Sequence, residues 1–265
     1  MTANVLTIAG FDPSGGAGVL ADIKTFAALR CYGVAAISAL TAQNTQGVRA
    51  LMPVAPDFLA AQIDALFADV EIAAVKIGML GTRANIETVA QKLALYKPAA
   101  IVLDPVMRAS SGDALATEDL ADALVRHLAP LATLVTPNLA EAAQLARAAG
   151  PDSIDAMRAL GAKLGQAGFK AVLVKGGHLD GANAADVLYD QGSFRIFAAP
   201  RVATKNAHGT GCTLSSAIAA GLANGRPLPD AIEAAKAYVT QGLMGADQLE
   251  VGQGPGPLHH FRDLW

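Results

Sequence analysis

The chain has 265 residues, 52% of them hydrophobic and 16% charged, and its 20 Lys and Arg against 23 Asp and Glu leave a formal charge of -3. This composition suits one large buried core and excludes a disordered chain, and the scattered cations form no basic stripe of the kind that nucleic acid requires. Two cysteines, Cys31 and Cys212, build no disulfide framework and fit a reducing compartment, while no apolar run reaches the ~18 residues of a membrane helix.

Met1-Thr2-Ala3-Asn4-Val5 enters a strand-like run without a basic segment or a long apolar core, so an untargeted, cytoplasmic chain is expected, folded as one domain over 1–265. Continuous apolar runs then recur at Val5-Ala9, Val34-Leu40, Ala73-Ile77, Ala100-Leu103, Leu131-Val135 and Ala171-Val174, each succeeded by Gly or polar residues and a helical pattern. Runs without alternation are those of strands covered on both faces, which predicts a three-layer α/β/α fold around a mostly parallel sheet. Val187-Tyr189 and Phe194-Phe197 flank Asp190-Gln191-Gly192-Ser193 and read as an antiparallel pair at an edge. Thr213-Ala220 begins a helix that Asn224-Gly225 and Pro227 should stop, and a second helix fits Asp230-Met244. Val251-Pro257, dense in Gly and Pro, reads as a surface tail that carries His259-His260 beyond it.

Ligands of open parallel sheets gather at the carboxyl ends of the strands, so the residues just after each run matter most. Six polar segments stand there: Gly10-Gly18, Thr41-Thr45, Gly78-Gly81, Asp104-Met107, Thr136-Glu141 and Lys175-His178. Gly16-Ala17-Gly18-Val19-Leu20-Ala21 matches a dinucleotide fingerprint by letters alone. It lies six residues beyond the strand, and Gln43 occupies the neighbourhood where the ribose-binding acid belongs. No G-x-x-x-x-G-K-[ST] occurs, and His127, His178 and His208 have no metal-ligand spacing.

The stronger anion candidate is Asn206-Ala207-His208-Gly209-Thr210-Gly211-Cys212-Thr213, where glycines bare the backbone at a helix start whose N–H groups and dipole face outward. Alone, it is equally a tight turn into a packed helix. Cys212 is likewise either an inert small hydrophobe or a thiolate favoured by the helix N-terminus, and Asp104, Asn138 and Glu141 could be caps. Together with Lys175 these residues supply what phosphoryl transfer needs: oxygen ligands for a divalent cation, clamps for phosphates and a group beside the attacking hydroxyl.

On Thr7-Gly18, Ala21-Phe26, Thr41-Thr45, Lys76-Gly81, Asp104-Met107, Thr136-Asn138, Val174-His178 and His208-Thr213, nearly the whole chain in order, the sequence resembles the hydroxymethylpyrimidine and hydroxymethylpyrimidine-phosphate kinases of thiamine biosynthesis, which have a ribokinase-like fold. The resemblance implies ATP and magnesium as requirements, a small-molecule substrate, no membrane or nucleic-acid partner, and a homodimer. It implies a pyrimidine pocket at Gly10, Asp22, Gln43, Met79 and Val106, magnesium at Asp104 and Glu141, and nucleotide phosphates at Lys175 and Asn138, with Lys236 as a further candidate. The loop Gly209, Thr210, Gly211 and Cys212 would hold the phosphoryl group, with Cys212 standing where related sugar kinases carry an aspartate base. Ala207, Ser110 and Phe11 depart from the family pattern; Ser110 replaces a Lys, which bears on the second phosphorylation. Pyridoxal or pyridoxine phosphorylation is the alternative activity on this fold.

Overall fold

A computed structural model describes residues 1–107, 118–177, 179 and 181–264; Ser110 and His178 lie outside these. The parallel strands are β1 (Asn4–Phe11), β2 (Tyr32–Asn44), β4 (Ile72–Ile77), β5 (Ile101–Leu103), β6 (Leu134–Val135) and β7 (Ala171–Val174). β3 (Gly47–Pro53), β8 (Asn183–Asp190) and β9 (Ser193–Pro200) complete one nine-stranded sheet in the order β3-β2-β1-β4-β5-β6-β7-β8-β9. The β8–β9 hairpin is the expected antiparallel edge. The opposite edge departs from expectation: β2 runs on through Thr41-Asn44 and pairs antiparallel with β3, so a polar segment with the pattern of a loop is strand. Its exposed, mixed-polarity residues lack the apolar continuity that reveals a covered strand.

Two layers of helix cover the sheet because successive strand residues point to opposite faces. On one face Val172 and Val174 join Val75, Ile77 and Leu103 against α2 (Pro56–Asp69), α3 (Arg83–Tyr96), α4 (Glu118–Ala123), α5 (Leu139–Ala146) and α6 (Ile154–Gln166). On the other, Ala171 and Leu173 join Val5, Ala74 and Val102 against α1 (Gly18–Ala28), α7 (Thr210–Ala223) and α8 (Leu228–Met244). Asn224 ends α7 and Gly225 adopts φ +78°, which is the stop that the Asn-Gly pair indicates. None of the described helices is long and apolar enough to cross a membrane.

Val251-Pro257 is not a loose tail, although Gly252, Gln253 and Pro255 are exposed. Gly254 N–H donates to Thr45 Oγ1 at 3.0 Å and Gly256 N–H to Asn206 Oδ1 at 2.8 Å, while the Gly256 carbonyl accepts from His208 N–H at 3.1 Å. Leu258, His259 and His260 are buried behind it. Gly and Pro signal the lack of a helix or strand, not exposure; here the irregular backbone meets the polar groups that the loop before α7 leaves open.

Candidate active site

The chain passes from β1 leftward to β2 and then returns to β4 on the other side of β1, so the strand order reverses between β1 and β4. That crevice is where an open α/β sheet binds its ligand. A cleft of about 80 Å³ opens there, lined by Gly10, Gln43, Met79, Val106 and Cys212 from the residues singled out in the sequence, and also by Asp12, Lys76 and His208. A larger depression, about 610 Å³, lies among α3 to α6 and touches none of the strand-end segments, so the smaller cleft is the chemical one. The register shifts at Ala9/Gly10 and at Ala42/Gln43, bulges that re-aim the backbone where β1 and β2 meet the cleft. Thr41 Oγ1 lies 2.9 Å from the Phe11 carbonyl and 3.3 Å from Gln43 Oε1, which orients the Gln43 amide with its two N–H donors left for a ligand.

The loop before α7 closes one end. Gly209 is the N-cap at φ +77°, and a Cβ there would stand 1.7 Å from the Gly16 carbonyl oxygen, so only glycine lets this turn press against the β1 loop. Beneath it Asp12 accepts from Ser14 N–H, Ser14 Oγ and Ala17 N–H, and pairs with His208 Nε2 at 2.8 Å. Burial alone would raise the Asp12 carboxyl, but His208 and Ser14 outweigh it and hold it below the usual range. The first-turn N–H groups of Gly211 and Cys212 have no intrahelical acceptor and remain for an anion. Thr210 Oγ1, by contrast, turns back to the Ala207 carbonyl at 2.7 Å.

A second group lies beside this loop. Asn138 and Glu141 form a capping box at the start of α5: Glu141 N–H donates to Asn138 Oδ1 at 2.9 Å and Asn138 N–H to Glu141 Oε2 at 2.8 Å. Lys175 pairs with Asp104 Oδ1 at 2.9 Å, and a Cβ on Gly211 would fall 3.1 Å from Lys175 Nζ and 3.9 Å from Asp104 Oδ2. Asp104 Oδ2 is buried with no hydrogen-bond partner among the described residues. Burial pushes the Glu141 carboxyl up to about 7, with Asp104 adding to the rise against Lys175. Asp104 itself is held below the usual range, because Lys175 and Lys76 outweigh its burial. Two carboxylates with an unshared buried oxygen fit a hard divalent cation that takes its remaining ligands from phosphates and water. Among the described residues no three His, Cys, Asp or Glu cluster as a closed protein-only metal site.

Two expected residues are taken up by partners inside the protein, and neither lines the cleft. Asp22 is fully buried, and its carboxylate is consumed by Lys76 at 2.9 Å on both oxygens, by Thr7 Oγ1 at 2.6 Å and by Ser216 Oγ at 2.7 Å. It has no lone pair to offer a ligand. Lys236 is held by Asp186 Oδ2 at 2.6 Å, while Gly176 N–H donates to the other Asp186 oxygen at 3.0 Å. Lys236 therefore braces the turn after β7 through Asp186. The Cys212 thiol is pushed up to about 11, first by burial and then by Asp104 and Asp22, against the opposing cation of Lys76. The helix N-terminus does not make it a thiolate at neutral pH. Sequence reasoning misses Lys76 and His208 because each looks like part of a strand or a loop; a lysine inside a continuous apolar strand, Ile72-Ala73-Ala74-Val75-Lys76-Ile77, is the signal that could have found the first.

Residues 12–259 match the family model described as phosphomethylpyrimidine kinase. The hydroxymethylpyrimidine/phosphomethylpyrimidine kinase of Rhizobium meliloti is 51% identical over 266 aligned residues, covering 100% of this chain and 99% of that protein. The pyridoxal kinase from Staphylococcus aureus in complex with ADP superposes with a TM-score of 0.92 at 32% identity over 100% of this chain and 95% of its own. The phosphomethylpyrimidine kinase from Clostridium difficile 630 does so at 0.80 and 40% identity over 91% and 99%.

Proposed function

This chain belongs to the phosphomethylpyrimidine kinase family, and from that premise we propose how its residues phosphorylate 4-amino-5-hydroxymethyl-2-methylpyrimidine and then the resulting monophosphate with ATP, in thiamine biosynthesis. The observation that carries the reading is that one residue, Cys212, both lines the ring-sized cleft and belongs to the anion-binding first turn of α7. A hydroxymethyl group reaching from the cleft thus meets a phosphoryl group held on backbone N–H donors. Gln43 offers donor and acceptor to the aminopyrimidine edge, and Met79 and Val106 contact its face.

Asn138, Glu141, Asp104 and Lys175 would line the nucleotide phosphates, and Asp104 and Glu141 would hold magnesium, which would offset the charge of the phosphates. The hydroxyl oxygen forms the new P–O bond while the bond to the β-phosphate breaks, its electron pair leaving on ADP. In such a loose transition state the hydroxyl proton departs late, passing to an oxygen of the transferred phosphoryl group or to water, so a thiol can position the oxygen without first becoming a thiolate. The backbone N–H groups of Gly211 and Cys212 stabilise the equatorial oxygens in flight.

The same reading takes 1–265 as one kinase domain, acting as a homodimer; exposed Leu40 and Met52 on the β2–β3 edge support the latter, and sedimentation equilibrium tests it. The superposition on a pyridoxal kinase favours one second reading, phosphorylation of pyridoxal. Steady-state rates with hydroxymethylpyrimidine, its monophosphate and pyridoxal separate the two: preferred turnover of both pyrimidines is expected, and exclusive turnover of pyridoxal overturns the proposal.

A further inference from the structure

Lys76 is the last but one residue of β4, its side chain wholly removed from solvent, yet it belongs to the wall of the cleft together with Cys212. Ser216 lies four residues beyond Cys212, so both occupy one face of α7, and Ser216 Oγ donates to Asp22 Oδ1 at 2.7 Å. The Lys76–Asp22 pair therefore sits one helical turn below the sulfur, and Thr7 of β1 locks it from the other side. Ion pairs taken out of water cost several kcal/mol to bury, so a pair on this spot is weakly explained by stability alone.

We propose that Lys76 is a positioning residue for the reaction, its ammonium keeping the sulfur of Cys212 and the attacking oxygen beside it in a positive field, with Asp22 serving to fix that ammonium. The part concerning the attacking oxygen rests on the kinase reading above; the effect on Cys212 does not. Of the three ammonium protons, two are engaged by Asp22, and no other acceptor stands among the described residues. Among the described residues, the charged and polar groups around Cys212 include Lys76 from β4, Asp104 after β5, Asp22 from α1, Lys175 after β7 and the Gly18 N–H, with Asp12, Gln43 and His208 in the same cleft wall. Of these, Lys76 is the leading influence favouring negative charge on the sulfur. The same set of contacts also explains why Asp22 carries four hydrogen bonds and no vacancy for substrate.

The test is the rate of Cys212 alkylation by iodoacetamide at pH 8 in the full chain without nucleotide or metal, read by mass spectrometry on its peptide so that Cys31 is counted separately. Lys76→Met should slow alkylation at least tenfold, since one pKa unit changes the thiolate fraction about tenfold. Lys76→Arg, which keeps the charge, should stay within about threefold of wild type. Where Lys76→Met does not fold, Asp22→Asn/Lys76→Met leaves no unpaired buried charge; because it also removes the opposing carboxylate of Asp22, its alkylation should slow less than in Lys76→Met but still fall below wild type. A merely structural lysine would give unchanged or faster alkylation as the pocket loosens, and either result overturns the proposal. With hydroxymethylpyrimidine the Met variant should lose kcat at least tenfold with KM nearly kept, and Arg should restore it. If wild type turns over neither pyrimidine nor pyridoxal, the kinase reading fails, and the alkylation rates still decide what Lys76 does to Cys212.

Discussion

Gly209→Ala should cripple the enzyme by displacing the anion turn. At φ +77° any other residue carries a left-handed cost of about 1–2 kcal/mol. The added methyl would lie 1.7 Å from the Gly16 carbonyl oxygen and 3.3 Å from Ala17 Cα, contacts with backbone that no rotamer relieves. The turn must retreat by roughly 1 Å or more, and overpacking of that kind adds about 1–3 kcal/mol. The sum, about 2–5 kcal/mol, corresponds to a fall of roughly 4–20 °C in Tm for a chain of this size. Misplacing catalytic N–H donors by ~1 Å should lower kcat about 100-fold. Gly211→Ala is the matched control: its methyl meets the tip of Lys175 at 3.1 Å, and that flexible end can yield. Its Tm should stay within about 2 °C of wild type while kcat falls about tenfold, a loss on the scale of one weakened charge-assisted hydrogen bond. Differential scanning fluorimetry and steady-state kinetics read both variants. A Gly209→Ala enzyme with wild-type kcat would refute the assignment of this turn to the transferred phosphoryl group.

Cys212→Ala should lower kcat roughly tenfold at saturating substrate, below the general-base range of about 10²–10⁴, because the thiol is pushed up to about 11 and acts by position; unchanged turnover would remove it from the mechanism. Glu141 binds its proton up to about pH 7 in the ligand-free protein, above its ordinary value, so with magnesium below saturation kcat/KM should rise as pH increases through 7. Glu141→Gln should flatten that limb of the pH profile, and a profile that keeps its rise in the variant would assign it elsewhere. The Asp12 carboxyl is held below its ordinary value, so it contributes stability above pH ~4 that is lost as pH falls through its lower folded value. Denaturant unfolding of Asp12→Asn should therefore show a deficit against wild type at pH 7 that shrinks toward pH 3, and a constant deficit would count against the Asp12–His208 pairing.

Much of this molecule is fixed locally. Runs such as Ala171-Val174 are apolar at every residue because both faces of their strand are covered, and that pattern survives without any tertiary knowledge. The capping box of Asn138 and Glu141 and the Asn224-Gly225 stop are likewise short-range events, legible because each residue satisfies the backbone beside it. The polar segments at the strand ends indicate the cleft, since a parallel sheet leaves no other common edge for them. What each polar group does with its lone pairs and protons is decided by residues far away in the chain. Asp22 looks free for substrate until β4 brings Lys76 against it from 54 positions away, and Ser216 closes it from 194. Lys236 looks free for phosphate until Asp186 takes it, Val251-Pro257 looks loose until Asn206 and His208 need its backbone, and Cys212 looks activated until burial reverses the effect of the helix end. Pattern and capping depend on near neighbours and are written in the sequence; charge state and hydrogen-bond saturation depend on which distant groups share a low-dielectric space, and only the packed structure sets that.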